Sequence, residues 1–438
     1  VALGALVILG AGVFYSNKYK KDDDGKKGSA DAPKILSIPE DQIQQIEIRR
    51  KDGKNTVLKK TDKWQITAPE ALAADQDAVN GVVTAVATLN SDRIVEEKPA
   101  ELATFGLAAP EVEVTVTQKD GKATKLQIGD GTATGSGFFA KLDGDPKVYT
   151  INSSSKTSID KTAQELRDRR LIAFDSEKLS RVELTAKGQT VEFGKNQQNE
   201  WQMVKPKPLR ADNWAVEELV RKLKDAKMEA NVSEEDAKKA AASFATGSKV
   251  AVAKMTDASG THEVEVRKKD KDYFAKGSAI GGFHKVATDL GEGLDKGPDD
   301  FRSKKLFDFG FNDPTRLEVK AGAGPVKVYT KSGEKWMLGG QQMDSVSVQS
   351  FVDKLRDLSS VKFVDAGFTA PVFDVKLTAK DGKLVDHVQI SQKDKSFYAI
   401  RVGEPSIYEL DATAAADLQK VAEDIKPPAP PSAPAKKK

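Results

Sequence analysis

Three histidines, His262, His284 and His387, are the only side chains in this 438-residue sequence whose ordinary pKa lies near neutrality. Acid–base or metal chemistry would have to start there. His262 and His284 fall on different predicted strands, and His387 lies further along, where an earlier similar stretch has Lys125. The pattern gives no ligand cluster, and His387, at the place of Lys125, reads as a half-exposed strand residue. Cysteine is absent, which removes disulfides, thiolate nucleophiles, Cys-based zinc sites and a lipoprotein anchor. A Ser-His-Asp arrangement is compatible with the spacing, but no Gly-x-Ser-x-Gly elbow marks a nucleophile. The acidic runs Asp22–Asp24 and Asp299-Asp300 lack the interval and closing Glu of a calcium loop.

Two further features stand out. Between Ile128 and Phe138 lie nine residues, where two similar stretches have six, and they include Gly129, Asp130, Gly131, Thr132, Gly135, Ser136 and Gly137. Such a loop exposes backbone N–H groups that can cradle an anion or meet a partner. It has no Gly-Lys-Ser/Thr ending and no following helix, so a structural hairpin is the plainer reading. The second feature is Trp214, which lacks a counterpart elsewhere in the chain and is the candidate exposed aromatic contact.

Internal repetition supplies the elements that would position these residues. Trp64, Trp201 and Trp336 recur with a period of about 136 residues. Each follows a strand of alternating apolar residues: Ile46 and Ile48, Val182 and Leu184, Leu317 and Val319. Each precedes a helix opened by an acidic cap, Asp75, Asp212 or Asp344. Stripes such as Val79, Val82 and Val86, or Val216, Leu219 and Leu223, set those helices on one face of a sheet. The phrases VTVTQKDGK (114–122) and VKLTAKDGK (375–383) carry the Asp-Gly hairpin signal. Aromatic strands follow at Phe138-Phe139, Tyr273-Phe274 and Phe397-Tyr398, and a short strand and a helix close each copy. The expected fold class is α+β: three tandem repeats of antiparallel β-meander sheets with helices on one face, at 34–170, 171–304 and 305–425. The recurring tryptophans are expected to anchor the cores.

The ends differ from the body. Residues 1–16 open with the uncharged, apolar VALGALVILGAGVFY, which as a helix spans roughly 22 Å of a ~30 Å hydrocarbon core. Two readings compete, a transmembrane anchor whose apolar run begins before Val1 and a signal peptide that is removed, and the anchor is favoured because no small-x-small cleavage site is evident after Gly12. Residues 17–33 read as a flexible linker, and 426–438 (KPPAPPSAPAKKK) as a disordered Pro/Ala/Lys tail. Hydrophobic residues make up 39% and charged residues 31%, and 69 Lys and Arg against 66 Asp and Glu leave only +3. That balance gives no field to attract nucleic acid.

The anchor, the pattern Trp64…Pro69…Ala74-Asp75 with its echo Trp201…Pro206…Ala211-Asp212, the phrase Phe105-Gly-Leu-Ala-Ala-Pro110 and the loop Ile128–Gly137 together resemble the bacterial membrane-anchored family of domain of unknown function 4340. The third copy departs from the pattern, with no proline between Trp336 and Asp344, and the second lacks the glycine-rich loop. The resemblance implies repeats lying outside the cytoplasmic membrane, in the periplasm. By analogy it implies protein partners such as an ABC-type permease or its auxiliary proteins. It carries over no catalytic residue, cofactor or metal, and no small-molecule substrate is inferred. The expected function is a non-enzymatic binding or scaffold module. The alternatives are an envelope enzyme acting on cell-wall or surface polymer, and a surface polysaccharide-binding protein.

Overall fold

Alternation of apolar and polar residues places one side of each strand in a core, and the cross-strand register shows which side. Ile46 and Ile48 lie opposite Val116 and Val114, Val182 and Leu184 opposite Met255 and Ala253, and Leu317 and Val319 opposite Leu377 and Val375. All twelve are buried. A one-residue slip would turn each of these rows to solvent, so the hydrophobic pattern fixes the register. The computed structural model describes residues 33–133, 135–230, 233–379 and 382–429. The expected anchor and nearly all of the linker lie outside the described residues, as does the tail beyond 429. Among the described residues no helix is long and apolar enough to cross a membrane.

The described chain is an α+β protein of antiparallel sheets, divided into two compact units. One contains residues up to Arg169 together with Glu229–Ala237, and the other contains Arg170–Met228 and the chain from Lys238 onward.

The first unit holds a nine-stranded sheet. From edge to edge it runs Leu72–Ala73, Trp64–Ala68, Asn55–Lys60, Ile43–Arg50, Val112–Gln118, Ala123–Gly131, Gly137–Leu142, Val148–Asn152 and Arg93–Glu96. A separate pair, Lys34–Ser37 and Thr88–Asn90, stands beside it. The helix Gln76–Ala87 buries Val79, Val82, Val83 and Val86 in the same core as Ile46, Ile48, Leu126 and Ile128.

The second unit holds two further large sheets. One runs Leu209–Arg210, Trp201–Lys205, Gln189–Lys195, Arg181–Ala186, Ser248–Asp257, Gly260–Lys269, Asp272–Gly277 and His284–Val286. The other runs Gln341–Gln342, Lys335–Leu338, Lys327–Ser332, Arg316–Ala321, Pro371–Ala379, Leu384–Lys393, Ser396–Arg401, Ile407–Leu410 and Ser360–Val364. Their helices Asn213–Lys224 and Ser345–Asp357 bury one face each. At the edge where the other two sheets carry a ninth strand, the sheet beginning at Leu209 has, among the described residues, the single bridge between Met228 and Val286.

The acidic caps behave as their chemistry requires. The Asp75 carboxylate accepts hydrogen bonds from the Asp77 and Ala78 amides, Asp212 from Ala215, and Asp344 from Ser347. Their backbone amides are also used: Asp75 N–H donates to Leu166 O, Asp212 to Phe301 O and Asp344 to Lys426 O, each at 2.8 Å. The chain leaving each closing helix is thereby tied to the start of the cap. Trp64, Trp201 and Trp336 are buried at 3%, 2% and 2% exposure, as core anchors should be.

Candidate functional site

Trp214 is the second residue of the helix Asn213–Lys224 and is 76% exposed. Exposing so large an apolar ring to water is unfavourable unless something covers it. The matching helix positions hold Asp77 and Val346, so the ring belongs to this helix alone. Its backbone is held firmly: the Asp212 cap fixes the first turn, and Asn213 Oδ1 accepts from the Trp201 amide at 2.7 Å. Beside it opens a groove of about 660 Å³, lined among others by Glu177, Lys195, Trp201, Trp214 and Glu217.

The groove's polar groups are arranged around the buried indole. Trp201 Nε1–H donates to the Glu217 carboxylate, and Lys195 Nζ lies 4.9 Å above the Trp201 ring. Lys224 Nζ donates to Ser176 Oγ at 3.3 Å. Hydrogen bonding from Arg221 holds the Glu218 carboxyl below the usual carboxylate range. Glu177 and Glu217 have no cation within ion-pair distance among the described residues. In the first unit the corresponding Trp64 Nε1 has no hydrogen-bond partner among the described residues, and Asn80 occupies the position of Glu217.

The three histidines are not brought together. His284 Nε2 lies 2.7 Å from Gly281 O, and His387 Nε2 lies 2.9 Å from Asp374 Oδ1. His262 does meet a serine and an aspartate, but its Nε2 faces both Ser259 Oγ at 3.0 Å and Asp257 Oδ1 at 3.3 Å. A catalytic relay needs the two ring nitrogens to face different partners, so this is a hairpin lock and not a triad. Asp257 also accepts from the Ser259 amide and hydroxyl and, through Oδ2, from the Asp175 amide. Hydrogen bonds from Ser259, then from the Asp175 amide, hold its carboxyl far below the usual range.

A pH dependence follows from that depression. The stabilisation from Asp257 is complete above the unfolded-state value of about 4 and drains as pH falls below it. Urea midpoints of the parent and Asp257→Asn should therefore differ most at neutral pH and converge in acid. A constant difference down to the lowest pH reached would refute this assignment.

The glycine-rich loop is a hairpin turn. Thr132 N–H donates to Gly137 O and Gly135 N–H to Thr132 O, both at 2.8 Å, and Gly137 N–H donates to Thr132 Oγ1 at 3.2 Å. The amides of Thr132, Gly135 and Gly137 are thus spent within the turn. Gly129 has a packing reason: a Cβ there would stand 2.2 Å from Phe105 O. A Cβ on Gly106, itself at φ +66°, would stand 2.4 Å from the Asp130 side chain. Gly137 is equally confined, with Ile151 O 2.7 Å from where its Cβ would lie. Gly131, Asp130 and Ser136 sit around the same turn.

Sequence reasoning did not find the ionic cluster in the second unit. Arg210, whose side chain is 16% exposed, pairs with Glu404 at 3.0 Å and Asp308 at 3.4 Å. Arg401 pairs with Glu404 at 2.7 Å and with the buried Asp386 at 2.5 Å. Burial alone would push the Glu404 carboxyl up, but Arg210 and Arg401 outweigh it and hold it below its usual range. Burial pushes the Tyr408 hydroxyl up. The available signal was Arg210 itself, standing where the first copy has Ala73. Among the described residues no three His, Asp or Glu side chains stand close enough to hold a metal.

Fold and groove together define an α+β protein of meandering antiparallel sheets that presents one exposed indole beside a mixed-charge groove. The chain matches the domain of unknown function DUF4340 over residues 64–240 and again over 201–372, and it belongs to that family. No curated protein matches it. Among solved structures, a ligand-bound crystal structure of the DNA polymerase sliding clamp from Pseudomonas aeruginosa is similar at 8% identity, covering 86% of this chain and 92% of that one with a TM-score of 0.16. A likeness that slight carries no argument.

Proposed function

We propose that this protein is a non-catalytic binding module of the bacterial envelope, built from three tandem copies of one α+β unit at 34–170, 171–304 and 305–425. In this reading residues 1–16 anchor it in the cytoplasmic membrane, residues 17–33 tether it, and the copies lie outside. Supporting the repeats, all three large sheets follow one strand order, from a two-residue edge strand through the tryptophan strand to the strand before the closing helix. The two family matches also begin on Trp64 and Trp201.

The observation that carries the binding role is Trp214, exposed on a rigidly capped helix beside the groove. Aromatic side chains held in fixed orientation next to polar rims are the usual anchors of protein interfaces. The partner class is the one the family resemblance implies, an ABC-type permease or its auxiliary proteins, and it comes by analogy. A polysaccharide surface is less well supported, because a ladder needs several aligned rings. The other strongly exposed aromatic among the described residues, Phe311, lies on a different sheet's opening segment. An enzyme is less well supported because the histidines stay apart, each bound into its own strand or turn.

A photo-crosslinking residue at position 214, expressed in the native bacterium, should capture a membrane transporter component, with position 385 as an exposed control. Equal capture from both positions would refute the role. So would turnover of an envelope polymer by the purified protein that a single substitution abolishes.

A further inference from the structure

The most exposed large apolar side chain among the described residues is not Trp214 but Phe311, at 98%. With Trp214 read as a partner contact, we propose that Phe311 is a second contact, engaged at the same time by the same folded protein.

Both residues belong to one recurring frame. Ser180 N–H donates to Thr256 O at 2.9 Å and Thr315 N–H to Thr378 O at 2.8 Å, so the entry strands of the second and third copies begin alike, and Phe311 falls where the second copy has Ser176. Ser176 and Trp214 line one groove. In the third copy the place of Trp214 is taken by Val346, which is 73% exposed. The last turn of the helix reaches the entry turn in both copies: Lys224 Nζ donates to Ser176 Oγ at 3.3 Å, and Arg356 Nε donates to Gly310 O at 2.8 Å. Equivalent places on neighbouring copies thus both present apolar groups to water.

The fold does not need a phenyl ring at this turn, since Ser176 serves in the second copy. Water surrounds the Phe311 ring, which is unfavourable unless something covers it. Its backbone is nevertheless fixed. Asn312 N–H donates to Phe309 O at 2.9 Å, Phe309 is 1% exposed, and Arg356 ties Gly310 O to Asp313 Oδ1, the latter at 2.5 Å. An apolar ring on a locked turn loses little entropy when a partner covers it.

The two anchors are also held at one separation. Arg210, just before the capping Asp212 of the Trp214 helix, donates to Lys305 O, to Glu404 Oε1 at 3.0 Å and to the Tyr408 hydroxyl at 3.3 Å, and pairs with Asp308. The strand leading to Trp214 is thereby joined to the segment leading to Phe311. Arg302 adds a bond to Ser406 Oγ at 2.8 Å and stacks 3.4 Å above the Phe363 ring. A partner that fits both anchors makes its second contact as an intramolecular step. The anchors differ in shape, an indole against a phenyl ring. A polymer of identical units would call for identical platforms, whereas a folded protein offers different recesses, so the occupant is a folded protein with two apolar recesses on one surface.

The test places photo-crosslinking residues at 214 and 311, singly and together, in the whole chain expressed in the native bacterium. Mass spectrometry should identify one and the same protein from both positions, and the doubly substituted chain should be joined to a single molecule of it at both. Phe311→Ser should lower the yield at position 214 by about tenfold. Because the ring is exposed, the same substitution should leave the urea midpoint unchanged.

Capture at 214 with none at 311, a different protein at 311, or an unchanged yield at 214 in the Phe311→Ser chain would overturn the proposal and leave the reading of Trp214 standing. Capture at neither position would overturn both.

Discussion

Replacing Arg401 with alanine is expected to cost the second unit about 3–5 kcal/mol and to lower its urea midpoint accordingly. The reason is what the substitution leaves behind. Arg401 Nη2 donates to Asp386 Oδ1 at 2.5 Å, and the Asp386 side chain is only 1% exposed. Its other oxygen accepts from the Asp308 amide at 2.7 Å, so the carboxylate can neither turn outward nor leave without breaking a second contact. Arg401 also donates through Nε to Glu404 at 2.7 Å and through Nη1 to Leu306 O. Without the guanidinium, a buried charge and a buried carbonyl lose their partners together, and such orphaned groups bear the full desolvation penalty.

Two companions separate this explanation from simple loss of packing. Arg401→Lys restores the charge but not the planar fork, so it should recover part of the loss. The pair Arg401→Met with Asp386→Asn removes both charges and should lie closer to the parent than Arg401→Met alone. Unfolding of the single alanine variant within about 0.5 kcal/mol of the parent would refute the cluster's structural role.

The same cluster shows where the sequence stops being readable. Alternation at Ile46 and Ile48, the capping aspartates and the Asp-Gly turns are local signals, each decided within a few residues, and the fold class follows from them. The pairs that lock the second unit are not local. Arg401 and Asp386 are 15 residues apart, and Arg210 and Glu404 are 194 apart. No periodicity announces such contacts. The helix Glu234–Thr246 escapes a sequence reading for a related reason: it has no counterpart in the recurring order, and it buries only Ala240 and Phe244. The glycine-rich loop was visible by composition, but its cause was not. Gly129 is required by the approach of Phe105 O, which only the folded chain brings near.

Trp214 was legible because it broke a pattern, and the contrast with Trp201 tests whether that break means function. Trp201→Ala is expected to cost about 3–5 kcal/mol, since it empties a core site and strands the Glu217 contact. Its ring is 2% exposed, its indole N–H donates to Glu217, and Lys195 covers it at 4.9 Å. Trp214→Ala, 76% exposed, should change stability by less than about 0.5 kcal/mol. Binding should show the opposite order at matched folded fractions: the Trp214 variant loses partner capture, while the folded fraction of the Trp201 variant keeps part of it. Denaturant titrations and crosslinking yields on the same two variants read both quantities. Two tryptophans lining one groove would then divide the work, one holding the helix against the sheet and the other left in water for a ligand to cover. Equal stability losses from the two substitutions would instead place Trp214 in the core, and the groove would lose its claim as a binding surface.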